Sequence, residues 1–479
     1  MPSNKHSQER LENFGRFCLW LVNGYLLGTV VKLYWNALFY APVNNDAGTF
    51  LSLVEKIREG HILFKDYRNG YAPLAFHILA WIREVTPKAW PDYNVYLGTV
   101  LLFLLAQGLL VYLTLRHFRI SHILCIFAGL WTTLALGRYE GFFIFLEPFV
   151  AFFTLLGTWL MLQSQRRVLF IVLAGVSFSL SALSKQYGIL ALPAVGFYLL
   201  YFSNSPKERL TKAALFTVGF VLPLTAFLIY YCVVQGVSVA NLFQQLAMNG
   251  YANNPNISIN HRSMVLKFSR QIGLLLSIAP FFFLVLFSWT KTNVLFLLFS
   301  LSLGLSTLVR PFQHYFGLII SFIIIFQIIV FAGLVGRHRI ARACLVLYIG
   351  WVSFQTIALS QFSFAEQSRL AQYELAHKIN SKWPADTESL VYAAPEYMYL
   401  ARLKQPDDSF AFLANFSGAE QIALIGKSHH ILVDTQNFEY FFREKDKVER
   451  LGKPFYTVLT ENGFKQIDFF YNRFQLWQR

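Results

Sequence analysis

Long apolar runs separated by short polar loops fill the first three quarters of the chain. Each run comes near the roughly 20 residues that a helix needs to cross a bilayer. Eleven runs are predicted as spans, over 15–37, 93–115, 120–136, 144–162, 168–184, 189–203, 213–234, 271–290, 293–309, 316–335 and 343–361. Two shorter stretches read differently. In 47–60, Phe50, Val54 and Ile57 share one helical face while Glu55, Lys56, Arg58 and Glu59 lie elsewhere, which predicts an amphipathic helix at a membrane surface. Residues 71–85, YAPLAFHILAWIREV, are apolar but too short to span and end in Arg83 and Glu84, so a second interfacial helix is predicted. From 362 the pattern changes. SLVYAA, PEYMYLARL, HHILVDT and KPFYTVLTENGF alternate strand-like and helix-like stretches, as in a small α/β domain.

Charge supplies the orientation. Residues 1–361 hold 27 Lys+Arg against 11 Asp+Glu, while 362–479 hold 14 against 15. The basic excess belongs to the membrane part and reads as topology rather than nucleic-acid binding. One set of short loops carries Arg116 and Arg119, Arg166 and Arg167, Lys207, Arg209 and Lys212, Lys291, and Arg337, Arg339 and Arg342. The positive-inside rule makes that side cytoplasmic. Lys5, Arg10 and Arg16 place the N-terminus there too. The short loops of the opposite side carry only Arg138, Lys185 and Arg310. The first run has no small-residue cleavage site before it ends, so a retained span is expected rather than a removed signal peptide.

Composition agrees: 55% of residues are hydrophobic and 14% charged, against about 25% charged in soluble proteins. Cys18, Cys125, Cys232 and Cys344 all fall in apolar runs, which leaves no disulfide framework and no metal spacing. The expected fold class is a polytopic α-helical membrane protein of about 11 transmembrane helices over 1–361, with structured outside loops at 38–92 and 235–270, and a C-terminal extracytoplasmic α/β domain over 362–479.

Eight acids of the membrane part lie outside: Asp46, Glu55, Glu59, Asp66, Glu84, Asp92, Glu140 and Glu147. An acid at a membrane boundary is costly unless hydrated or paired. Asp46 follows the first span in PVNNDAGTF. It reads as a helix cap, or as a surface carboxylate that takes a proton from an acceptor hydroxyl or amine. The two readings are compatible, because Asn44 or Asn45 can cap instead. Glu147, in GRYEGFFIFLEPFVAFF, needs a partner among so many Phe residues. Alternatively it serves the helix dipole ahead of Pro148. Lys185 in LSKQYG, and Arg310 and His314 in RPFQHYF, end other spans at the same outer level. Snorkelling to lipid headgroups explains the two cations; so does neutralising a phosphate substrate. His314 alone reads as an interfacial filler. The convergence of four separate outer ends on one layer favours a site.

These residues resemble the GT-C superfamily of membrane-embedded glycosyltransferases, which use lipid-phosphate sugars and include protein O-mannosyltransferases and the lipid A aminoarabinose transferase. The resemblance rests on NNDAGTFLSLVEKIREGHILFKDYRNGYAPL, LEPFVAFFTLLG, LSKQYGILALP and RPFQHYFGLII. The family's first outside loop carries an acid after span one, an interfacial helix, then a G…Y.D…P segment; here these are Asp46, Gly60, Asp66 and Pro73. The resemblance implies a polyprenyl-phosphate sugar donor, a lipid, glycan or protein acceptor, and inverting transfer on the outer face. It implies Asp46 as catalytic base, with Glu147, Lys185, Arg310, His314, Asp66 and Tyr71 toward the substrates. Preplaced cations such as Lys185 and Arg310 suit the charge that grows on a leaving phosphate. Some relatives use two adjacent acids or a firm metal site. No such acid pair occurs here, so no cofactor is assigned and a divalent metal ion stays open.

The competing class is a multispan lipid or glycan transporter or flippase. It calls for charges near mid-bilayer, broken helices and often internal repeats. Pro223 and Pro280 are scattered punctuation, and no repeat is visible. A non-catalytic assembly or receptor protein has no need of Asp46 beside an interfacial helix with cations at the same depth. Short cytoplasmic loops and the lack of a retention signal lead us to expect a bacterial inner membrane, with site and C-terminus on the periplasmic face. The sequons at Asn256 and Asn415 are too common to decide origin.

Overall fold

The structure is a computed structural model. It describes residues 3–67, 69–165, 167–248, 269, 272–273, 275–281, 284, 289–309, 313–335, 338–392, 394–404, 418–436 and 454–479. The first part of the chain forms α1 (Ser3–Tyr40), α2 (Asn45–Arg58), α3 (Leu74–Val85), α4 (Asp92–His117), α5 (His122–Leu136), α6 (Glu147–Gln163), α7 (Leu169–Ser184), α8 (Leu192–Tyr201), α9 (Pro206–Leu228), α10 (Val239–Met248), α11 (Lys291–Val309), α12 (Gly317–Val335) and α13 (Arg339–Ser360).

Among the described residues, five helices are long and apolar enough to cross a membrane: Asn13–Tyr40, Asp92–His117, Pro206–Val234, His314–Val335 and Arg339–Ser360. His122–Leu136, Leu169–Ser184, Gln186–Tyr201 and Lys291–Thr307 are shorter apolar helices. The chain is a polytopic helical membrane protein. The predicted span 271–290 lies partly outside the described residues, which take in 272–273, 275–281, 284 and 289–290 of it. Pro223 sits inside α9 without ending it, and the helix runs on into a π-helical stretch, Ile229–Val234.

α12 is apolar all round and buried along almost its whole length, as a central helix should be. It packs on α4, α5, α6, α11 and α13. By contrast, α1 leaves Trp20, Leu27, Val31 and Trp35 exposed, a face suited to lipid. Small residues let other helices close up. A Cβ added at Gly175 of α7 would overlap the Phe216 carbonyl of α9, and one at Gly219 would overlap the Val172 carbonyl in return.

The predicted amphipathic stretches form α2 and α3, but protein covers the apolar face of α2: Phe50, Leu51 and Val54 are buried. Part of that cover comes from the C-terminal segment. This segment holds α14 (Glu366–Lys382), β1 (Leu390–Tyr392), α15 (Glu396–Leu400), α16 (Gly418–Lys427), β2 (His430–Asp434), α17 (Phe455–Glu461), β3 (Lys465–Phe470) and β4 (Phe474–Gln478). The sheet order is β1-β2-β4-β3, with β1 and β2 parallel and the other pairs antiparallel. Alternate residues feed two small cores, one on each face. Leu390, Ile431 and Val433 pack with α16 and α17, while Val391, Leu432 and Leu476 pack with α14 and α15. The β3–β4 hairpin was not predicted. It turns through Tyr471 and Asn472 at φ 54 and 51, left-handed values that neither residue advertises in a strand search.

Candidate active site

α2 starts four residues after Ala41, and Asn44 caps it: the Ala47 N–H donates to Asn44 Oδ1 at 2.7 Å. Capping therefore does not explain Asp46. Its half-buried carboxyl group stands in the first turn, where the helix dipole favours a negative charge.

A chain of aromatic contacts leads inward from this helix. One turn beyond Asp46, Phe50 packs edge-on against Tyr71, ring centroids 5.5 Å apart. Tyr71 is held by its own loop and by distant helices. Its N–H donates to Asn69 Oδ1 at 3.0 Å, and Asn69 N–H donates to Gln245 Oε1 of α10 at 2.8 Å. Gln186 Nε2 donates to the Gly70 carbonyl at 2.8 Å. The Tyr71 ring then faces Lys185 Nζ at 5.1 Å.

Lys185 terminates α7 in an extended conformation, which throws its side chain inward. Gly188 permits the tight turn that follows, since a Cβ there would overlap Ser181. Lys185 Nζ donates to Glu147 Oε1 at 2.5 Å and to the Tyr315 hydroxyl at 3.2 Å. Tyr315 and Tyr187 also offer ring faces, at 4.6 and 5.5 Å. Three tyrosines thus cage one ammonium group, an arrangement that gains strength when water is excluded. Glu147 and Lys185 are 1% and 3% exposed. Lys185 does not snorkel.

Glu147 opens α6 with Pro148 at the first helical positions. His314 Nε2 lies 3.9 Å from Glu147 Oε1, and the imidazole stacks on Phe145 at 4.4 Å. Glu147 Oε2 is buried without a hydrogen-bond partner among the described residues. Beside it is a cavity about the size of one water, lined by Gln107, Phe145 and His314 among others.

The candidates read from sequence therefore separate. Glu147, Lys185, His314 and Tyr71 come together, and Asp46 lies on the helix whose Phe50 meets Tyr71. Asp66 works locally: Ile62 N–H donates to Asp66 Oδ2 at 2.7 Å and closes the loop around Phe64. Arg310 lies outside the described residues. Other outer acids brace helices. Arg58 Nε donates to Glu84 at 2.8 Å and its Nη1 to Glu55 at 2.6 Å, tying α2 to α3. Tyr187, Tyr315, Asn69 and Gln186 were not singled out from sequence, although all four lie within the motif stretches. Among the described residues no group of three His, Cys, Asp or Glu side chains is placed to hold a metal ion.

No protein-family model matches the sequence, and no curated protein matches it in sequence either. Solved structures do match. The apo structure of ArnT from Cupriavidus metallidurans superposes with a TM-score of 0.61 over 96% of this chain and 97% of that one, at 13% identity. ArnT bound to undecaprenyl phosphate gives 0.59 over the same shares. The Archaeoglobus fulgidus oligosaccharyltransferase AglB, in complex with an inhibitory peptide and a dolichol-phosphate, gives 0.50 over 89% of this chain and 70% of that one, at 12% identity. The chain has the GT-C fold. Within that fold, Asp46 opens the helix that carries Phe50, and Phe50 meets Tyr71, whose ring faces Lys185.

Proposed function

We propose that this chain is an inverting glycosyltransferase that moves a sugar from a polyprenyl-phosphate-linked donor to a lipid, glycan or protein acceptor. The observation that carries this reading is Asp46, a first-turn carboxylate relieved of capping by Asn44, in a fold shared almost end to end with an undecaprenyl-phosphate-bound ArnT. Asp46 takes the proton of the acceptor O–H or N–H as that atom attacks the anomeric carbon. The bond from that carbon to the phosphate oxygen breaks on the opposite face, and the lipid phosphate leaves with the bonding pair. Tyr71, Lys185 and His314 form the inner wall of the donor site. Asp66 keeps the loop before Tyr71 closed, and Arg310 is the second cation assigned to the donor from the sequence. Lys185 and Arg310 stabilise the growing phosphate charge, with Glu147 aiming Lys185.

The membrane part, 1–361, is read as eleven spans in a bacterial inner membrane, with 362–479 and the site on the periplasmic face. Purified protein supplied with a panel of polyprenyl-phosphate sugars should turn over at least one donor, and Asp46→Asn should not. No turnover across the panel overturns the reading. Cysteines placed at 46 and in the 337–342 loop should be labelled from opposite sides of the membrane; labelling from one side overturns the topology.

A further inference from the structure

Only five residues separate the end of α1 from Asp46, and the C-terminal segment grips them on both sides. Gln372 of α14 donates from Nε2 to the Val43 carbonyl at 2.7 Å, and the Val43 N–H donates back to Gln372 Oε1 at 2.8 Å. One side-chain amide thus satisfies both backbone groups of a residue that is 1% exposed. Water cannot replace either bond there. Upstream, Arg369 of α14 donates to the carbonyls of Ala37 and Leu38 in the last turn of α1 and to that of Ala41 just past its end. Downstream, Gly48 packs directly on the backbone where α15 begins. A Cβ at Gly48 would overlap Glu396 Cα and stand 2.7 Å from the Pro395 carbonyl carbon.

We infer that the C-terminal segment positions Asp46, and that Gln372 is the positioning residue that holds the chain leading to it. The inference rests on Asp46 being the base. α1 ends at Tyr40 and α2 starts at Asn45, and α4 meets the link between them at one point, where the Tyr93 hydroxyl donates to the Pro42 carbonyl at 2.9 Å. α14 and α15 hold it on either side, at Val43 and Gly48. A misplacement of about 1 Å caused far from the chemistry can cost roughly 100-fold in rate. Holding Val43 and Gly48 is therefore a catalytic matter as well as a folding one.

Two variants test it by different routes. Gln372→Met fills the same space with neither hydrogen bond, and Gly48→Ala pushes α15 off α2. Gly24→Ala is the control, because a Cβ there meets nothing within 4 Å. The assay uses the polyprenyl-phosphate sugar that the unaltered chain turns over best. Both variants should lower kcat by about 10- to 100-fold with donor KM within about twofold, and Gly24→Ala should change neither. Without substrate, amide hydrogen exchange over 42–48 should quicken in both variants while α4 and α12 keep their protection. Unchanged kcat in both variants overturns the inference. So does exchange that quickens throughout, which would mark a loss of fold instead of position. An active Asp46→Asn removes the base reading, whereas unchanged exchange at 42–48 removes the grip of Gln372 even if Asp46→Asn is inactive.

Discussion

Lys185 and Glu147 are buried among the helices, with each other and a ring of tyrosines as partners, whereas Asp46 is half-buried on the first turn of a helix beneath the C-terminal segment. The inner pair is held side chain to side chain by residues 38 apart in sequence, so each charge is the other's main support. The chain on either side of Asp46 is held through its backbone. Neighbouring Val43, Ala47 and Gly48 are pinned by Gln372, Asn44 and the start of α15. A change at the inner pair should therefore appear first in stability, and a change at Asp46 first in rate.

The largest effect expected is on rate. Asp46→Asn should lower transfer by about 10²- to 10⁴-fold, the usual contribution of a general base. The same change should alter stability by no more than about 1 kcal/mol, the dipole contribution of a first-turn acid. Single-turnover transfer and thermal unfolding in detergent read the two quantities. A stability loss that accounts for the lost activity would break the contrast.

Lys185→Met should act the other way. It leaves Glu147 buried without its cation, a loss of about 3–5 kcal/mol in comparable buried pairs. The double change Lys185→Met/Glu147→Gln removes the stranded charge and should recover much of the lost unfolding temperature. Equal midpoints for the single and double variants would show that the two residues are not coupled.

The two regions were unequally legible in the sequence. Glu147 stood out because a charge among Phe residues demands a partner, and Lys185 because it breaks the basic bias of the short loops. That they partner each other was not visible, since spacing within two different spans carries no pairing information. The tyrosine cage escaped for a related reason: Tyr187 and Tyr315 look like ordinary span-end aromatics until Lys185 turns inward. At Asp46 the cap was readable as Asn44 or Asn45, and the fold chooses Asn44. The long helices were legible because a period of 3.6 and sheer apolar length leave few alternatives. The grip of the C-terminal segment was not. Gln372 is one amide on a polar helix, and a backbone contact such as Gly48 on Glu396 leaves no trace in side-chain pattern.

Glu396 tests whether that grip responds to pH. It is buried at the contact with Gly48, and burial is the main reason its carboxyl pKa rises to about 8, with Asp434 adding to the rise and Arg473 opposing it. An acid with a raised folded pKa gives its full stability below the unfolded value, near 4.5, and loses it as pH climbs toward 8. Every pH step of one between those two values removes at most about 1.4 kcal/mol. The unaltered chain should thus lose unfolding temperature between pH 5 and 8, and Glu396→Gln should lose less. Parallel curves for the two proteins would remove Glu396 as the source.

The smallest effect expected separates the cap from the grip. Asn44→Ala takes the acceptor from the Ala47 N–H, and Ala47 is 0% exposed, so water offers little replacement. Losses at N-caps run from about 0.5 to 2 kcal/mol, and burial places this one toward the upper end. The fraying should stay within the first turn of α2, because Gln372 still holds Val43 on one side and α15 still packs on Gly48 on the other. Transfer should fall by less in Asn44→Ala than in Gln372→Met, even if the two variants unfold at the same temperature. The reverse order would mean that the helix cap sets the carboxylate and that α14 only rests against it. The two rates, measured at matched stability, therefore decide whether Asp46 owes its place to its own helix or to the C-terminal segment.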